Sequence, residues 1–298
     1  MLTAVRGPRE HRRAVHGGTH VGWLVGGPRR CTGVRTAGGH HPCPYQAVVD
    51  PGGRSSQCAS CQGADPGLML ARDRILDDGR TYRLYLAWFG TGVVKVGLTA
   101  EQRGTARLLE QGALGHTFVA RGSLPGVRRA ELTVAQAGLA RERLSTRTKS
   151  DHWWSVPEPA ARERELGGLR SAVLRLLAGH AIELLPDGPL ADHVELFGLT
   201  DGAPPRYREV TALSAGATLS GVLRPPVGRH LLLDTGEPGT GEPGTGEPGT
   251  GVPQPPLLLD TRLLTGWSLA PAGPTPCAGL VLALRRRPEE PAEQEALF

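Results

Sequence analysis

The stretch Thr81-Tyr82-Arg83-Leu84-Tyr85-Leu86-Ala87-Trp88-Phe89, then Gly90-Thr91-Gly92, then Val93-Val94-Lys95-Val96-Gly97, decides the reading of the middle of this chain. Two runs rich in aromatic and β-branched residues flank a short segment with two glycines, which predicts a β-hairpin. Thr99 stands where an N-cap would open an amphipathic helix through Gln111, with Ala106, Leu109 and Ala113 at helical spacing and Gly112 as the stop. Residues 117–120 suit a third strand. Pro125 or Val127 opens a long helix to about Thr146, with Leu132, Ala135, Leu139 and the stem of Arg143 on one stripe. Asp151-His152-Trp153-Trp154 closes the unit, with the Trp153 ring expected to pack between this unit and the next helix. That helix starts at Pro157 and reaches about Gly179, carrying Leu166, Leu169, Val173 and Leu176.

Upstream lie four cysteines, Cys31, Cys43, Cys58 and Cys61, in the spacing C-x11-C-x14-C-x2-C. A C-x2-C knuckle puts two thiolates one tetrahedral edge apart, and the two earlier cysteines complete a four-sulfur shell for a structural zinc ion. The window holds few large apolar residues, so a metal would stand in for a missing core. Two disulfides or unrelated buried thiols are the alternative reading, and His40 or His41 could replace one cysteine as ligand. A fifth cysteine, Cys277, lies far downstream.

Downstream of Pro186 the character changes to short β-like runs at 218–223, 230–234, 257–260 and 278–284, which predict a small β-subdomain. Within it the unit Gly-Glu-Pro-Gly-Thr repeats three times from Gly236 to Thr250. Such Pro- and Gly-rich units cannot bury a core and read as an expanded hairpin loop. Leu231-Leu232-Leu233-Asp234-Thr235 and Leu257-Leu258-Leu259-Asp260-Thr261 flank the repeat and are candidate arms of that hairpin.

The 298 residues allow two or three small domains. Lys and Arg total 34, yet lysine occurs only at Lys95 and Lys149, and the chain contains no asparagine. Against that background Lys95 stands out, because a compact ammonium with an adjustable pKa is something arginine cannot imitate. A formal net charge of +5 permits an anionic partner without demanding one, and 4% aromatic residues argue against an extended base-stacking surface. The apolar stretch 21–25 after the N-terminal arginines is too short for a signal segment, and no run of 18 apolar residues is present, so the expectation is a cytoplasmic protein with no membrane partner. Reduced thiols in that compartment favour metal over disulfide. No Walker loop, dinucleotide fingerprint, nucleophile elbow or zinc-protease helix occurs.

The order hairpin, helix, strand, helix, with Tyr85 on one arm and Lys95-Val96-Gly97 on the other, resembles the GIY-YIG nuclease-like fold. On that resemblance Tyr85 occupies the first motif's tyrosine position, Lys95 replaces the second tyrosine, and Gly97 matches the glycine. Arg107 is the arginine of the first helix, offset by about two residues, and Glu131 matches the metal-binding glutamate. The resemblance implies that Tyr85 or Lys95 assists a water, that Arg107 holds phosphate charge and that Glu131 anchors one Mg²⁺. The final asparagine common in that family has no counterpart here. A wider set, Cys31-Thr32-Gly33, Pro42-Cys43, Cys58-x2-Cys61, Lys95-Val96-Gly97-Leu98-Thr99, Arg107-x3-Gln111-Gly112-Ala113 and Asp151-x-Trp153, resembles a prokaryotic domain-of-unknown-function family of the DUF 2797 type, over roughly residues 21–285.

The expected architecture is α+β. A disordered extension over 1–20 precedes a zinc-ribbon-like four-cysteine unit over 21–65. A GIY-YIG-like core with its following helix spans 80–180. A β-subdomain with a low-complexity loop at 236–255 spans 190–285, and a frayed tail covers 286–298. The expected function is zinc-containing nucleic-acid binding, with Mg²⁺-dependent phosphodiester cleavage through Tyr85, Lys95, Arg107 and Glu131. The alternatives are a non-catalytic interaction module, or a binder or enzyme of another phosphorylated ligand held by Arg107, Lys95 and a helix start at Thr99. The oligomeric state is not legible.

Overall fold

The structure is a computed structural model, and it describes residues 2–6, 9–13, 16–36, 38–53, 55–71, 77–236 and 254–288. Its centre is an antiparallel sheet whose strands lie in the order Ala191–Asp192, Gly115–Ser123, Thr81–Trp88, Val94–Ala100, with Glu183–Leu184 also paired to Gly115–Ser123. The hairpin register sets Tyr85 opposite Gly97 and Ala87 opposite Lys95. Side chains alternate across a pleated strand, so the first arm splits cleanly between two cores. Tyr82, Leu84, Leu86 and Trp88 face a large core completed by Val127, Ala130 and Val134 of the helix Leu124–Gln136 and by Leu166 and Val173 of the helix Pro159–Leu176. Tyr85, Ala87 and Phe89 face a smaller core with Leu108, Ala113 and Phe118. Lys95 and Gly97 pair with residues of that second face, so the face that carries Tyr85 also carries Lys95.

Two expected helices are shorter than their sequence pattern. Thr99 is no N-cap: it is a buried residue of the strand Val94–Ala100. The helix that follows is reduced to a 3₁₀ turn, Glu101–Arg103, and a short α-helix, Ala106–Glu110. Gly104, with φ of 50°, breaks the path between them. Gly112 does adopt the left-handed conformation expected of a helix stop, with φ of 68°. The long helix ends at Gln136, and Gly138, with φ of 72°, turns the chain away. Arg141 returns to the sheet, bonding through its backbone to Val94 and Val96.

The second sheet runs His230–Asp234, Leu257–Asp260, Arg206–Leu223, His20–Gly26, Ser268–Pro271, with Ala278–Arg286 also paired to the long strand Arg206–Leu223. The two Leu-Leu-Leu segments pair as hairpin arms, Leu231 with Leu259 and Leu233 with Leu257. The repeat between them lies outside the described residues apart from Gly236, as does the tail beyond residue 288. The stretch 21–65 is divided: His20–Gly26 belongs to this second sheet, and only the residues after it form the cysteine loop. The pairing is non-local and has no signature in the strand's own residues. In 1–20, where the sequence shows no periodicity, the backbone segments Leu2–Arg6 and Arg9–Arg13 pair antiparallel.

Asp151-His152-Trp153-Trp154 joins the two sheets. Trp153 packs edge-on against His230, at 5.4 Å between ring centroids. Trp154 stacks on Tyr207 at 5.1 Å, and its indole N–H donates to the Pro204 carbonyl at 2.6 Å. The nearly buried guanidinium of Arg285 is bonded to Asp151 and, at 2.9 Å, to Glu209. No described helix is long and apolar enough to cross a membrane.

Candidate functional site

Four thiols meet in the cysteine loop. The sulfurs of Cys31, Cys43, Cys58 and Cys61 lie within 4.8 Å of one another, and those of Cys43 and Cys58 are 3.9 Å apart. Metal–sulfur bonds of about 2.3 Å place tetrahedral sulfurs about 3.8 Å apart, so the set has the size of a four-sulfur site. The backbone supports thiolates. The amides of Gly33 and Cys58 donate to the Cys31 sulfur at 3.4 and 3.2 Å. Amide hydrogen bonds from the Ala47 and Tyr45 positions hold Cys43 down at about 7, against the opposing effect of burial. Burial first, and then the neighbouring sulfurs, push Cys61 well above the ordinary thiol range. Four sulfurs this close together are a donor set that a divalent cation would hold as thiolates, and the cluster can hold a metal ion such as zinc. His40 and His41 are engaged elsewhere, on the Thr32 carbonyl at 2.6 Å and the Thr36 hydroxyl at 2.9 Å.

Arg29 fastens this loop to the second sheet. Its buried guanidinium donates to the carbonyls of Asp50 and Gly53, at 2.8 and 2.9 Å, and to that of Thr265, at 2.9 Å. Five N–H donors in a planar fork suit this bridging of several carbonyls, which a lysine could not reproduce.

The second constellation sits on the Tyr85 face of the central sheet. Tyr85 is 2% exposed, and its ring lies over Gly97, where a methyl group would overlap it. Its hydroxyl accepts from the Gln111 side-chain amide at 3.1 Å, and burial raises its pKa. Lys95 donates to the Glu142 carbonyl and, at 3.1 Å, to that of Val96. Burial lowers its pKa, opposed by Glu131 and assisted by Arg107. Arg107 is exposed on the short helix, 3.9 Å from Glu110, whose carboxylate is also bonded to Arg103 at 2.8 Å. Glu131 is 4% exposed and accepts from Arg128 at 2.6 Å. Burial raises the Glu131 pKa while Arg128 and Lys95 oppose the shift. Arg107 and Glu131 each act electrostatically on Tyr85 and on Lys95; Arg107 is exposed and Glu131 is buried.

Several residues at this site were not singled out from the sequence as its members. Lys149, on the short helix Thr146–Asp151, lies 4.0 Å above the Phe89 ring, and its ammonium is 3.4 Å from the Gln111 carbonyl. Its pKa falls to about 7, by burial first and then by Arg229, Lys95, Arg107 and Arg262. Arg229 donates to the Thr146 hydroxyl at 2.8 Å and pairs with Asp260 at 3.1 Å, while Arg262 pairs with the same carboxylate at 2.6 Å. The signal for Lys149 was present in the composition, since it is the only lysine besides Lys95. Arg229 and Arg262 carry no such signal, because arginine is everywhere in this chain. They come from the second sheet, so only the docking of the two sheets brings them here.

Neither curated proteins nor solved structures yield a match to the chain. A family model does match, over residues 74–239, from just before the central hairpin to just past the Leu-Leu-Leu arm that ends at Asp234. The match takes in every cation of the constellation except Arg262, and it leaves the cysteine cluster outside. It spans more than half of the chain, which belongs to the family described as protein of unknown function DUF2797.

Proposed function

We propose that this protein binds nucleic acid through its phosphates at the cationic cluster around Lys149, on a scaffold whose cysteine loop holds a structural zinc ion. The feature that carries the reading is the surroundings of Lys149: Arg229 donates to Thr146 on the helix that carries Lys149, Arg262 shares the Asp260 carboxylate with Arg229, and burial together with the charges of Arg229, Lys95, Arg107 and Arg262 lowers the Lys149 pKa. Bringing like charges together raises the energy of the free protein, and an arriving phosphate relieves it. Arg107 is exposed and Lys149 half-buried, so the cluster is open to a large ligand. The order of hairpin, short helix, strand and helix, with Tyr85 seated over Gly97, supports the likeness to the GIY-YIG nuclease-like fold.

The donor set does not fit a Mg²⁺ ion. Glu131 is the one carboxylate expected to anchor it, and that carboxylate is buried and already bonded to Arg128 at 2.6 Å. Magnesium asks for one or two carboxylates together with several waters and substrate oxygens in octahedral array. The proposal is therefore binding without Mg²⁺-dependent cleavage.

Fluorescence anisotropy with labelled single-stranded DNA, double-stranded DNA and RNA oligonucleotides tests it. Affinity should fall steeply with salt, and Arg107→Ala, Arg229→Ala and Lys95→Ala should each weaken binding and flatten the log–log salt slope by ~1. No salt-dependent binding to any of the three overturns the proposal. Cleavage that requires Mg²⁺ and disappears in Glu131→Gln would replace it with the nuclease reading.

A further inference from the structure

The helix Pro159–Leu176 packs against the strand Gly115–Ser123, where the short edge strand Ala191–Asp192 pairs with His116 and Gly115. Trp88 lies opposite Gly115 in the sheet, so both belong to the face that meets this helix. Gly115 has no side chain to fill the space between them. A methyl group there would meet the Ala191 carbonyl, Leu166 and Trp88 at 3.2, 3.8 and 3.9 Å. A cavity of about 240 Å³ remains. Its walls are Leu114, Leu166, Leu190 and Pro159, with Arg162, Glu163 and Asp192 also on the lining. That is the liquid volume of about eight waters at ~30 Å³ each, or room for one ring-sized molecule.

Protein satisfies some of the polar groups around the cavity. Arg162 pairs with Asp192 at 2.5 Å and donates to the Pro157 carbonyl at 2.5 Å, and Asp192 also accepts from the Val194 amide at 2.9 Å. Two groups are left over. The indole N–H of Trp88, a residue 1% exposed, is buried and has no acceptor. The carboxylate of Glu163, exposed on the helix, has no hydrogen-bond or ion-pair partner among the described residues. A buried donor without a partner is costly, and native proteins leave few of them. An apolar cavity bordered by one spare donor and one spare anion has the outline of a ligand site.

We propose that this cavity binds a small amine whose apolar, ring-sized body carries one hydrogen-bond-accepting oxygen. The oxygen accepts from the Trp88 N–H, the body replaces water against Leu114, Leu166 and Leu190, and the ammonium pairs with Glu163. The Arg162–Asp192 pair holds its own charge in balance and serves as wall. None of these residues belongs to the cationic cluster around Lys149, so the site is independent of nucleic-acid binding.

Tyramine carries all three features, para-ethylphenol lacks the ammonium, and phenethylamine lacks the oxygen. The full-length protein, isotope-labelled at its tryptophan indole nitrogens, is titrated with each to millimolar concentration. The Trp88 indole signal is followed by NMR after assignment on the wild type, so no core variant is needed. With tyramine the signal should move downfield and saturate, because the indole proton gains an acceptor. Para-ethylphenol should move the same signal with a few-fold weaker affinity, as an exposed ion pair contributes little. Phenethylamine should bind about 2–10-fold more weakly than tyramine, without the downfield shift. Glu163→Gln, at an exposed position, should remove the advantage of tyramine over para-ethylphenol and keep the shift. A Trp88 signal that none of the probes moves overturns the site, whether or not it shows contact with a bound water. Equal downfield shifts with tyramine and phenethylamine overturn the role of the oxygen, and equal affinities for tyramine and para-ethylphenol overturn the role of Glu163.

Discussion

Gly97 shows how one missing side chain shapes the face that carries Tyr85 and Lys95. It sits directly opposite Tyr85 in the hairpin, and the Tyr85 ring fills the space a side chain would occupy. Gly97→Ala should therefore destabilise the protein by about 1–3 kcal/mol through overpacking against a fully enclosed ring. Urea unfolding measures it, and an unchanged midpoint would mean that the ring can move. At the same scale, Lys149 links stability to pH. Its pKa in the folded chain is about 7, below the ordinary 10.5, because of burial and the cations Arg229, Lys95, Arg107 and Arg262. Between those values the unfolded chain binds more protons than the folded one, so this group's contribution to stability rises as pH increases through about 7 and levels off near the ordinary lysine value. Lys149→Met removes the titration. The stability difference between wild type and this variant should shift in favour of wild type as pH is raised from about 6 to about 9. A difference that is flat in pH would contradict the assigned environment. Anion binding follows the reverse course: a phosphate favours the ammonium, so binding should take up a proton and weaken above about pH 7.

At the scale of elements, the cysteine loop has its own cluster of Cys31, Cys43, Cys58 and Cys61 with Val34, Ala47 and Val49 packed against it, and no larger apolar core. The Arg29 clamp ties it to the second sheet, and on the proposed function a bound metal supplies the rest of its order. Elemental analysis of the purified protein should find about one zinc per chain. Cys58→Ser should lose the metal and leave the loop open to protease while the central sheet stays folded. A metal-free wild type with a protease-resistant loop would refute the site. The Leu-Leu-Leu hairpin behaves oppositely. Its arms pair over Leu231–Leu233 and Leu257–Leu259 and are buried in the second sheet, so their register does not rest on what connects them. Deleting the three Gly-Glu-Pro-Gly-Thr units, which lie almost wholly outside the described residues, should change stability by less than ~1 kcal/mol, since loop closure depends on length only logarithmically. A large fall in melting temperature would assign the repeat a packing role.

For the whole molecule, the question is what makes two sheets one body. Trp154, Tyr207, Arg285, Asp151 and Glu209 form the joint: a stacked aromatic pair with a guanidinium close to both rings and bonded to two carboxylates. Trp154→Ala should remove about 3–5 kcal/mol of stability. It should also split one unfolding transition into two, one for each sheet, because the joint couples them. Calorimetry reads both effects, and a single unshifted transition would show that the coupling lies elsewhere. Because Arg229 and Arg262 reach Lys149 only through this docking, the same substitution should weaken the proposed nucleic-acid binding without touching any residue of the cationic cluster.

What the sequence determined by itself is local. Alternating apolar residues and a Gly-Thr-Gly turn were enough to define the hairpin. The C-x2-C knuckle and its two upstream partners were enough to define the sulfur cluster, because ligand chemistry restricts the residue types so strongly. The twin Leu-Leu-Leu segments announced their own pairing. Helix extent was less legible, since glycines at 104 and 138 turn the chain at points where the apolar spacing continues. The tertiary structure alone decided three things. It placed His20–Gly26 in the sheet of residues two hundred positions away. It buried Glu131, which Arg128 one turn away in the same helix then holds. It brought Lys149, Arg229 and Arg262 within electrostatic reach of one another and of Lys95 and Arg107. All three depend on contacts between distant segments, which set burial and neighbouring charge, and neither property is written in the residues taken one segment at a time.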